Sequence, residues 1–187
     1  MKKLIYLLMA VSLVFTACKK EVEEGCTDAS AINFNPNAEE NDGSCLYKCN
    51  DPYAINYDIT SPDPGCRYEG DVVFYLSEDM AEHLTNGVSP SIDWLDLYVD
   101  GVLEGTMPGD TWFYYGEVTC YDTPNAPIYL TYSWWDELAT NMSWKLRDDN
   151  GYPWVDATNQ VLANGCLELF IDYGDGNIMI KPNQESH

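Results

Sequence analysis

The sequence predicts an all-β protein: an antiparallel β-sandwich over residues 70–187, preceded by a small, loop-rich module stapled by disulfides. Short apolar segments recur at regular spacing in the C-terminal part, with turn residues between them, as is typical of sandwiches. Asp100-Gly101 separates two of these segments and is a strong hairpin signal. Around Trp144, apolar and polar residues alternate, which indicates a half-buried strand.

The N-terminus has the pattern of a signal peptide over residues 1–17, with two lysines followed by an apolar run. The run is too short for a membrane-spanning helix, which needs about 20 apolar residues. Val14-Phe15-Thr16-Ala17-Cys18 resembles the lipobox of bacterial lipoproteins, which implies that Cys18 becomes the lipid-modified N-terminus. The alternative is ordinary secretory cleavage that leaves Cys18 as a free thiol.

Residues 18–25 are predicted to be a charged tether between the lipid and the folded chain. Each buried CH₂ contributes about 0.8 kcal/mol, so several acyl chains on Cys18 would anchor the protein durably to a membrane. Lys19 followed by acidic residues resembles the surface-export signals of Bacteroidetes lipoproteins. The resemblance implies a lipid-anchored protein of the cell envelope, at the outer membrane or the cell surface.

The chain is strongly acidic, with a formal net charge of −22. Removal of residues 1–17 takes away two lysines and no acids, which brings the charge to −24. Such a surface repels nucleic acid, so we expect no nucleic-acid partner. A hydrophobic content of 45% argues against a disordered chain. The mature length of about 170 residues is enough for one sizeable core plus a small module.

Two Cys-bounded repeats occupy residues 26–68, the first at 26–47 and the second at 49–68, with a period of 23 residues. They align as Cys-Thr-Asp-Ala-Ser-Ala-Ile-Asn-Phe-Asn and Cys-Asn-Asp-Pro-Tyr-Ala-Ile-Asn-Tyr-Asp. Both resemble a repeat of secreted proteins from marine and Bacteroidetes bacteria, whose usual form is C-T-D-x-x-A-x-N-Y-N-P-x-A-x-x-D-D-G-S-C. That resemblance implies no defined activity.

Six cysteines remain when Cys18 is set aside, and an even number in an exported chain indicates disulfides. A repeat of about 20 residues cannot bury a core alone, so we expect each repeat to be closed internally. The predicted bonds are Cys26–Cys45, Cys49–Cys66 and Cys120–Cys166. Cross-links between the two repeats are the alternative.

Oxygen-bearing side chains are dense in the first repeat, and Ca²⁺ prefers six to eight oxygen ligands. The candidate metal ligands are Asp28, Asn33, Asn35 and Asp42. No segment has EF-hand spacing. Asn and Asp also shape turns through hydrogen bonds to nearby backbone, and we favour this interpretation over a calcium site.

Beyond residue 70, the strands are predicted at 71–76, 92–99, 102–107, 112–119, 128–133, 142–147, 152–155, 159–162 and 166–172. Residues 78–84 and 135–140 favour a turn or two of helix. The region resembles a small β-domain of Bacteroidetes surface lipoproteins that has no established function. The matching residues are Val99-Asp100-Gly101, Gly105-Thr106, Cys120, Trp154 and Asn164-Gly165-Cys166.

No catalytic motif is present. His83 has acidic neighbours and no second histidine near it in the sequence, so we expect its side chain to be solvated instead of binding a metal.

The six tryptophans of the domain are more informative. Trp144 is predicted to be core. Trp134 and Trp135 are adjacent and cannot both face inward on an extended segment, so this pair is the candidate ligand-binding surface.

The sequence therefore favours a lipid-anchored envelope protein without enzymatic activity, in which repeats form a stalk and the sandwich binds a glycan or a protein partner. One alternative is a hydrolase that uses two converging carboxylates. The other is a structural spacer stabilised by calcium.

Overall fold

The structure, a computed structural model, describes residues 22–121 and 127–185. The predicted lipidation residue, Cys18, lies outside the described residues, as does the predicted signal peptide. Strands dominate, which confirms the all-β class. Within the described part of the chain, no helix is long and apolar enough to cross a membrane.

The elements follow one another along the chain as β1 (Glu24–Gly25), β2 (Glu40–Asn41), β3 (Tyr47–Lys48), β4 (Thr60–Ser61), β5 (Arg67–Leu76), α1 (Glu78–Glu82), a π-helical turn (His83–Gly87), β6 (Trp94–Val99), β7 (Val102–Pro108), β8 (Ile128–Trp135), β9 (Ala139–Asp148), β10 (Pro153–Leu162), β11 (Cys166–Gly174) and β12 (Asn177–Glu185).

The chain divides into two compact units. The first contains the described residues up to Tyr47 together with residues 61–63, and the second contains residues 48–60 and the chain from Pro64 onward. The first unit holds repeat one, closed by the Cys26–Cys45 disulfide. Its small core consists of that disulfide and Ala31, with Tyr47 packed against them.

The second unit contains the sandwich, whose two four-stranded sheets have the orders β10-β9-β6-β7 and β12-β11-β5-β8. β5 pairs with β11 in parallel, whereas the other pairs of the two sheets are antiparallel. The predicted sandwich was antiparallel, so this central pair is a departure from it. Residues 72–76 of β5 and residues 166–172 of β11 are buried on both faces, as expected of parallel strands that are covered on each side.

The inner faces of the two sheets form the main core. Phe74 of β5 meets Trp144 of β9 edge to face, with ring centroids 5.1 Å apart. Trp144 is fully buried, as the alternating pattern around it predicts. The sequence also places the β6–β7 turn correctly, because Asp100 and Gly101 both have positive φ, as a type I′ hairpin requires.

The outer face of β5 and β11 lies beneath residues 109–121, which we call the covering loop. Val73, Tyr75 and Phe170 of the sheet pack there against Val118 and Cys120. The prediction of a strand at 112–119 is therefore wrong. Apolar residues of this segment pack down onto the sheet, and the Cys120–Cys166 disulfide fastens its end to β11.

Other predicted segments differ from the structure in extent. The predicted strands at 152–155 and 159–162 fall in one strand, β10, which begins at Pro153. The predicted helix at 135–140 is absent, because residues 136–138 form the turn between β8 and β9. The helical segment at 78–84 is present as α1 and the π-helical turn. The final strand, β12, was not predicted, because its lysine, proline and asparagine obscure the alternation expected of a strand.

The second repeat shares the core of the sandwich. Its Cys49 and Ala54 belong to the main core, as does Tyr68. The Cys49–Cys66 disulfide closes the repeat, and β5 begins at the next residue, Arg67, crossing the predicted boundary at residues 68–70. The three disulfides of the structure are the three pairs that the sequence predicts.

Candidate functional site

The candidate calcium ligand Asp28 is engaged in local hydrogen bonds. Its Oδ1 accepts the backbone N–H and the hydroxyl of Ser30 at 2.9 and 2.8 Å, and its Oδ2 accepts the Tyr47 hydroxyl at 2.7 Å. These bonds, led by that from the Ser30 N–H, lower the pKa of Asp28. The carboxylate thus closes a turn and ties it to the end of the repeat.

The other three candidate ligands also shape turns. Asn33 donates to the Ser44 carbonyl and accepts the Leu46 N–H, at 2.6 and 2.8 Å. Asn35 accepts the N–H of the residue two positions on, and so does Asp42, at 3.0 and 2.8 Å. No group of three His, Cys, Asp or Glu side chains in the described ranges is arranged to hold a metal ion. These contacts support the turn interpretation.

The same bonds recur in the second repeat. Asp51, equivalent to Asp28, accepts the Tyr53 N–H at 2.9 Å and the Tyr68 hydroxyl at 2.7 Å. Asn56, equivalent to Asn33, donates to the Gly65 carbonyl and accepts the Arg67 N–H. Because equivalent positions make equivalent bonds, these side chains hold the fold of each repeat.

The two predicted ligand-binding tryptophans have opposite environments. Trp134 is 8% exposed and packs beside Tyr68 and Tyr132, while its Nε1 donates to the Glu137 carbonyl. It has no free face for a ligand, and its assignment as a ligand-binding residue is corrected to a core residue. Trp135 is 45% exposed on the outer face of β8, opposite Arg67.

His83 lines an open concavity of about 440 Å³ together with Asp79, Glu82 and Asp175. The His83 ring stacks on Tyr173, with centroids 3.6 Å apart and planes 9° from parallel. The two rings therefore cover each other's faces. Carboxylates contribute much of the remaining wall, so the concavity offers little free aromatic surface to a ligand.

A second cleft, of about 290 Å³, lies where α1, the covering loop and the middle of β11 and β12 meet. We call it the tyrosine cleft. It is lined by Ser77, Glu78, Asp79, Phe113, Tyr114, Tyr115, Phe170, Asp172 and Lys181. Aromatic walls with a few convergent polar groups are the usual composition of a small-molecule site.

An ion pair lies inside the cleft. Lys181 stands opposite Phe170 in the β11–β12 register, and its ammonium reaches Asp172 at 2.6 Å while lying 5.6 Å from the Phe170 ring centre. Burial raises the pKa of Asp172, but hydrogen bonds from Lys181, Ser77 and the Tyr173 N–H outweigh it and hold the pKa below its usual value. Asp172 is therefore a stable anion near neutral pH.

The two tyrosines of the cleft are exposed, Tyr114 by 65% and Tyr115 by 54%. The backbone that carries them is braced at several points. The Phe113 N–H donates to the Leu76 carbonyl at 3.0 Å, and the Gly116 N–H donates to the Tyr75 hydroxyl at 3.1 Å.

Two further contacts hold the backbone of Tyr114 and the ring of Tyr115. Tyr114 and Glu117 close a turn, in which the Tyr114 N–H donates to the Glu117 carboxylate and the Glu117 N–H donates to the Tyr114 carbonyl. The Tyr115 ring rests edge-on against Phe170. Such bracing reduces the entropic cost of holding exposed rings ready for a ligand.

The sequence does not predict this cleft, because its tryptophans are the more conspicuous aromatic residues and the segment with Tyr114 and Tyr115 is predicted to be a strand. A signal was present. The run Trp-Phe-Tyr-Tyr-Gly has too many consecutive aromatics for an alternating strand and ends in a glycine, Gly116, which has a positive φ. A cysteine four residues later anchors the segment.

Comparisons with protein-family models, curated proteins and solved structures found no match for this chain.

Proposed function

We propose that this chain is a lipid-anchored protein of the cell envelope whose β-sandwich binds glycans in the tyrosine cleft. The observation that carries the proposal is the pair of exposed rings, Tyr114 and Tyr115, on a braced loop beside the ion pair between the buried Asp172 and the half-exposed Lys181. Aromatic rings stack on the apolar C–H faces of sugars. Charged donors and acceptors suit their hydroxyls.

The cleft is better suited to binding than to hydrolysis. A carboxylate-dependent glycosidase needs one acid that stays protonated, which requires a raised pKa. Asp172, the buried carboxyl of the cleft, has a lowered pKa instead. Asp148, whose carboxylate accepts N–H groups of the β9–β10 turn, also has a lowered pKa, although burial opposes the shift. The non-enzymatic assignment therefore belongs to the proposal.

The proposed location follows from the N-terminal pattern and from the disulfides. Three disulfides suit an oxidising compartment outside the cytosol. Lipid on Cys18 would hold the chain at the outer membrane or the cell surface, where polysaccharides are abundant. Labelling with radioactive palmitate, with Cys18→Ser as the matched variant, tests the anchor.

Affinity gel electrophoresis tests the proposed binding. The mature protein, with Cys18→Ser to keep it soluble, is run through native gels that contain mixed-linkage β-glucan, galactomannan or starch. We expect at least one polysaccharide to retard it, and Tyr115→Ala to weaken the retardation by about tenfold, because stacking aromatics dominate such contacts.

Tyr152→Ala is the matched control, because Tyr152 is 66% exposed and lies outside the cleft. It should leave the retardation unchanged. If none of the three gels retards the protein, or if Tyr115→Ala binds as well as the unsubstituted protein, the cleft is not a site for these glycans.

A further inference from the structure

On the basis of the proposed glycan site, we infer that the tyrosine cleft selects uncharged sugars and rejects acidic ones, such as uronic acids. The inference rests on the proposed function. It adds the class of ligand and assigns the selection to the charges that line the cleft.

The charges in the cleft are unequal. Glu78, Asp79 and Asp172 contribute three carboxylates, whereas Lys181 is the one cationic side chain of the lining. Lys181 lies 2.6 Å from Asp172, so these two charges compensate each other. Glu78 and Asp79 remain without a cation in the lining, and an acidic sugar would meet their like charge at close range.

The Asp172–Lys181 pair supplies hydrogen bonds without net charge. An ammonium has three donors, and Asp172 takes one of those of Lys181. The Lys181 side chain is 47% exposed, which leaves its other donors directed to a ligand or to solvent. The pair can therefore donate to sugar hydroxyls without attracting an anion, which is the property expected of a site for neutral sugars.

Lys181 is also held in one position. Its ammonium is fixed between the Asp172 carboxylate and the Phe170 ring, which is 5% exposed and forms the apolar base of the cleft. Tyr115 packs on the same Phe170 ring. Phe170 therefore positions both the Tyr115 ring, which would stack on the sugar, and the Lys181 ammonium, which would donate to the sugar hydroxyls.

The size of the cleft limits how much of a glycan it can hold. Its volume of about 290 Å³ lies just below the range for small-molecule sites, roughly 300–1,000 Å³. A short part of a glycan fits in such a volume. A short oligosaccharide of the retained polysaccharide should therefore compete with the polymer for the cleft.

Matched glycans test the selection. Mixed-linkage β-glucan, galactomannan and starch are each used beside their own derivatives, in which C6 alcohols have been oxidised to carboxylates. The backbone is unchanged, and charge is the main difference. For each glucan or mannan that retards the protein, we expect the oxidised form to bind about tenfold more weakly at low salt, and the difference to shrink as salt screens the charges.

A charge-neutral variant assigns the effect to the cleft. In Glu78→Gln/Asp79→Asn the side chains keep their shape, and the ratio of oxidised to neutral binding should rise about fivefold or more. Glu104→Gln/Glu137→Gln removes two exposed charges outside the cleft and should leave the ratio at its original value.

The outcomes separate the two proposals. Equal binding of oxidised and neutral glycans, or an unchanged ratio in Glu78→Gln/Asp79→Asn, overturns the selection while leaving glycan binding intact. Failure of every neutral glycan to retard the protein overturns the proposed function and the selection with it.

Discussion

Tyr68 of the second repeat stacks on Trp134 of β8, with ring centroids 6.4 Å apart and planes 28° from parallel. The same Tyr68 donates its hydroxyl to Asp51, at the start of its repeat. One side chain therefore connects the turn of the repeat to the core of the sandwich. The second repeat is thus a part of the sandwich core, and its removal should expose Trp134.

Replacement of Trp134 should destabilise the second unit far more than replacement of its neighbour. Trp134→Ala removes a buried indole and is expected to lower the free energy of unfolding by about 3–5 kcal/mol. Trp135→Ala removes an exposed side chain and should change it by less than about 0.5 kcal/mol. Urea denaturation followed by circular dichroism measures both values, and similar losses in the two variants would contradict the assignment.

The two repeat disulfides should differ in their effect on the sandwich. They close loops of similar length, with sequence separations of 19 and 17, so each is expected to contribute about 3 kcal/mol through chain entropy. Cys49→Ser/Cys66→Ser should lower the melting temperature of the sandwich, because this repeat shares its core. Cys26→Ser/Cys45→Ser should leave that transition in place, since the first repeat has a core of its own. Calorimetry distinguishes the two, and a large shift in the second variant would count against separate cores.

Loss of the Asp172 charge should reduce stability toward acid. The pKa of Asp172 in the folded protein lies below its ordinary value of 3.8. Its charge therefore adds to the free energy of unfolding above pH 3.8, and this contribution is lost as the pH falls through the folded pKa. Asp172→Asn should therefore destabilise the protein at pH 6 and flatten the fall in stability below about pH 4. Urea midpoints between pH 2 and 7 test this, and parallel curves for the two proteins would contradict it.

Two tyrosines should ionise late. Burial, followed by hydrogen bonding to a carboxylate, raises the pKa of Tyr68 and Tyr132 to about 12. Since these folded pKa values lie above the unfolded one, their contribution to stability is full below about pH 10 and is lost as the pH rises toward 12. Ultraviolet titration should show a late phase, and Asp51→Asn should move part of it to lower pH. A titration with all tyrosines ionising near pH 10 would refute it.

Calcium should not change the stability of the protein. The candidate ligand oxygens of Asp28 and Asn33 are already hydrogen-bonded within the repeat. Thermal melts with 5 mM CaCl₂ and with EDTA should agree within about 1 °C, because binding to the native state alone would raise the midpoint. An increase of several degrees in calcium would restore the spacer hypothesis.

Local patterns predicted the local features of this fold. The Asp100-Gly101 turn follows from residues that tolerate positive φ, and the burial of Trp144 follows from a period of two. The Cys26–Cys45 and Cys49–Cys66 disulfides follow from the repeat. Each of these features depends on residues that are close in sequence or on a pattern that is repeated within it.

Features that depend on distant contacts were not predictable in the same way. Tyr47 and Tyr68 occupy equivalent positions, yet Tyr68 stacks on Trp134, and nothing in the repeat itself distinguishes the two. The tyrosine cleft joins residues from the start of α1, the covering loop, β11 and β12. The parallel pairing of β5 and β11 likewise depends on which strands become neighbours, which the alternation of apolar residues leaves open.

That parallel pair has a consequence for the time course of folding. β5 is the first long strand of the chain and β11 is its second-to-last, so the centre of one sheet joins segments that are synthesised far apart. Closing so long a loop before any contact forms is slow, which makes high contact order a determinant of folding rate. The sheet cannot be completed until almost the whole chain has emerged, and a sandwich that remains unfolded for this long would suit the proposed export across a membrane.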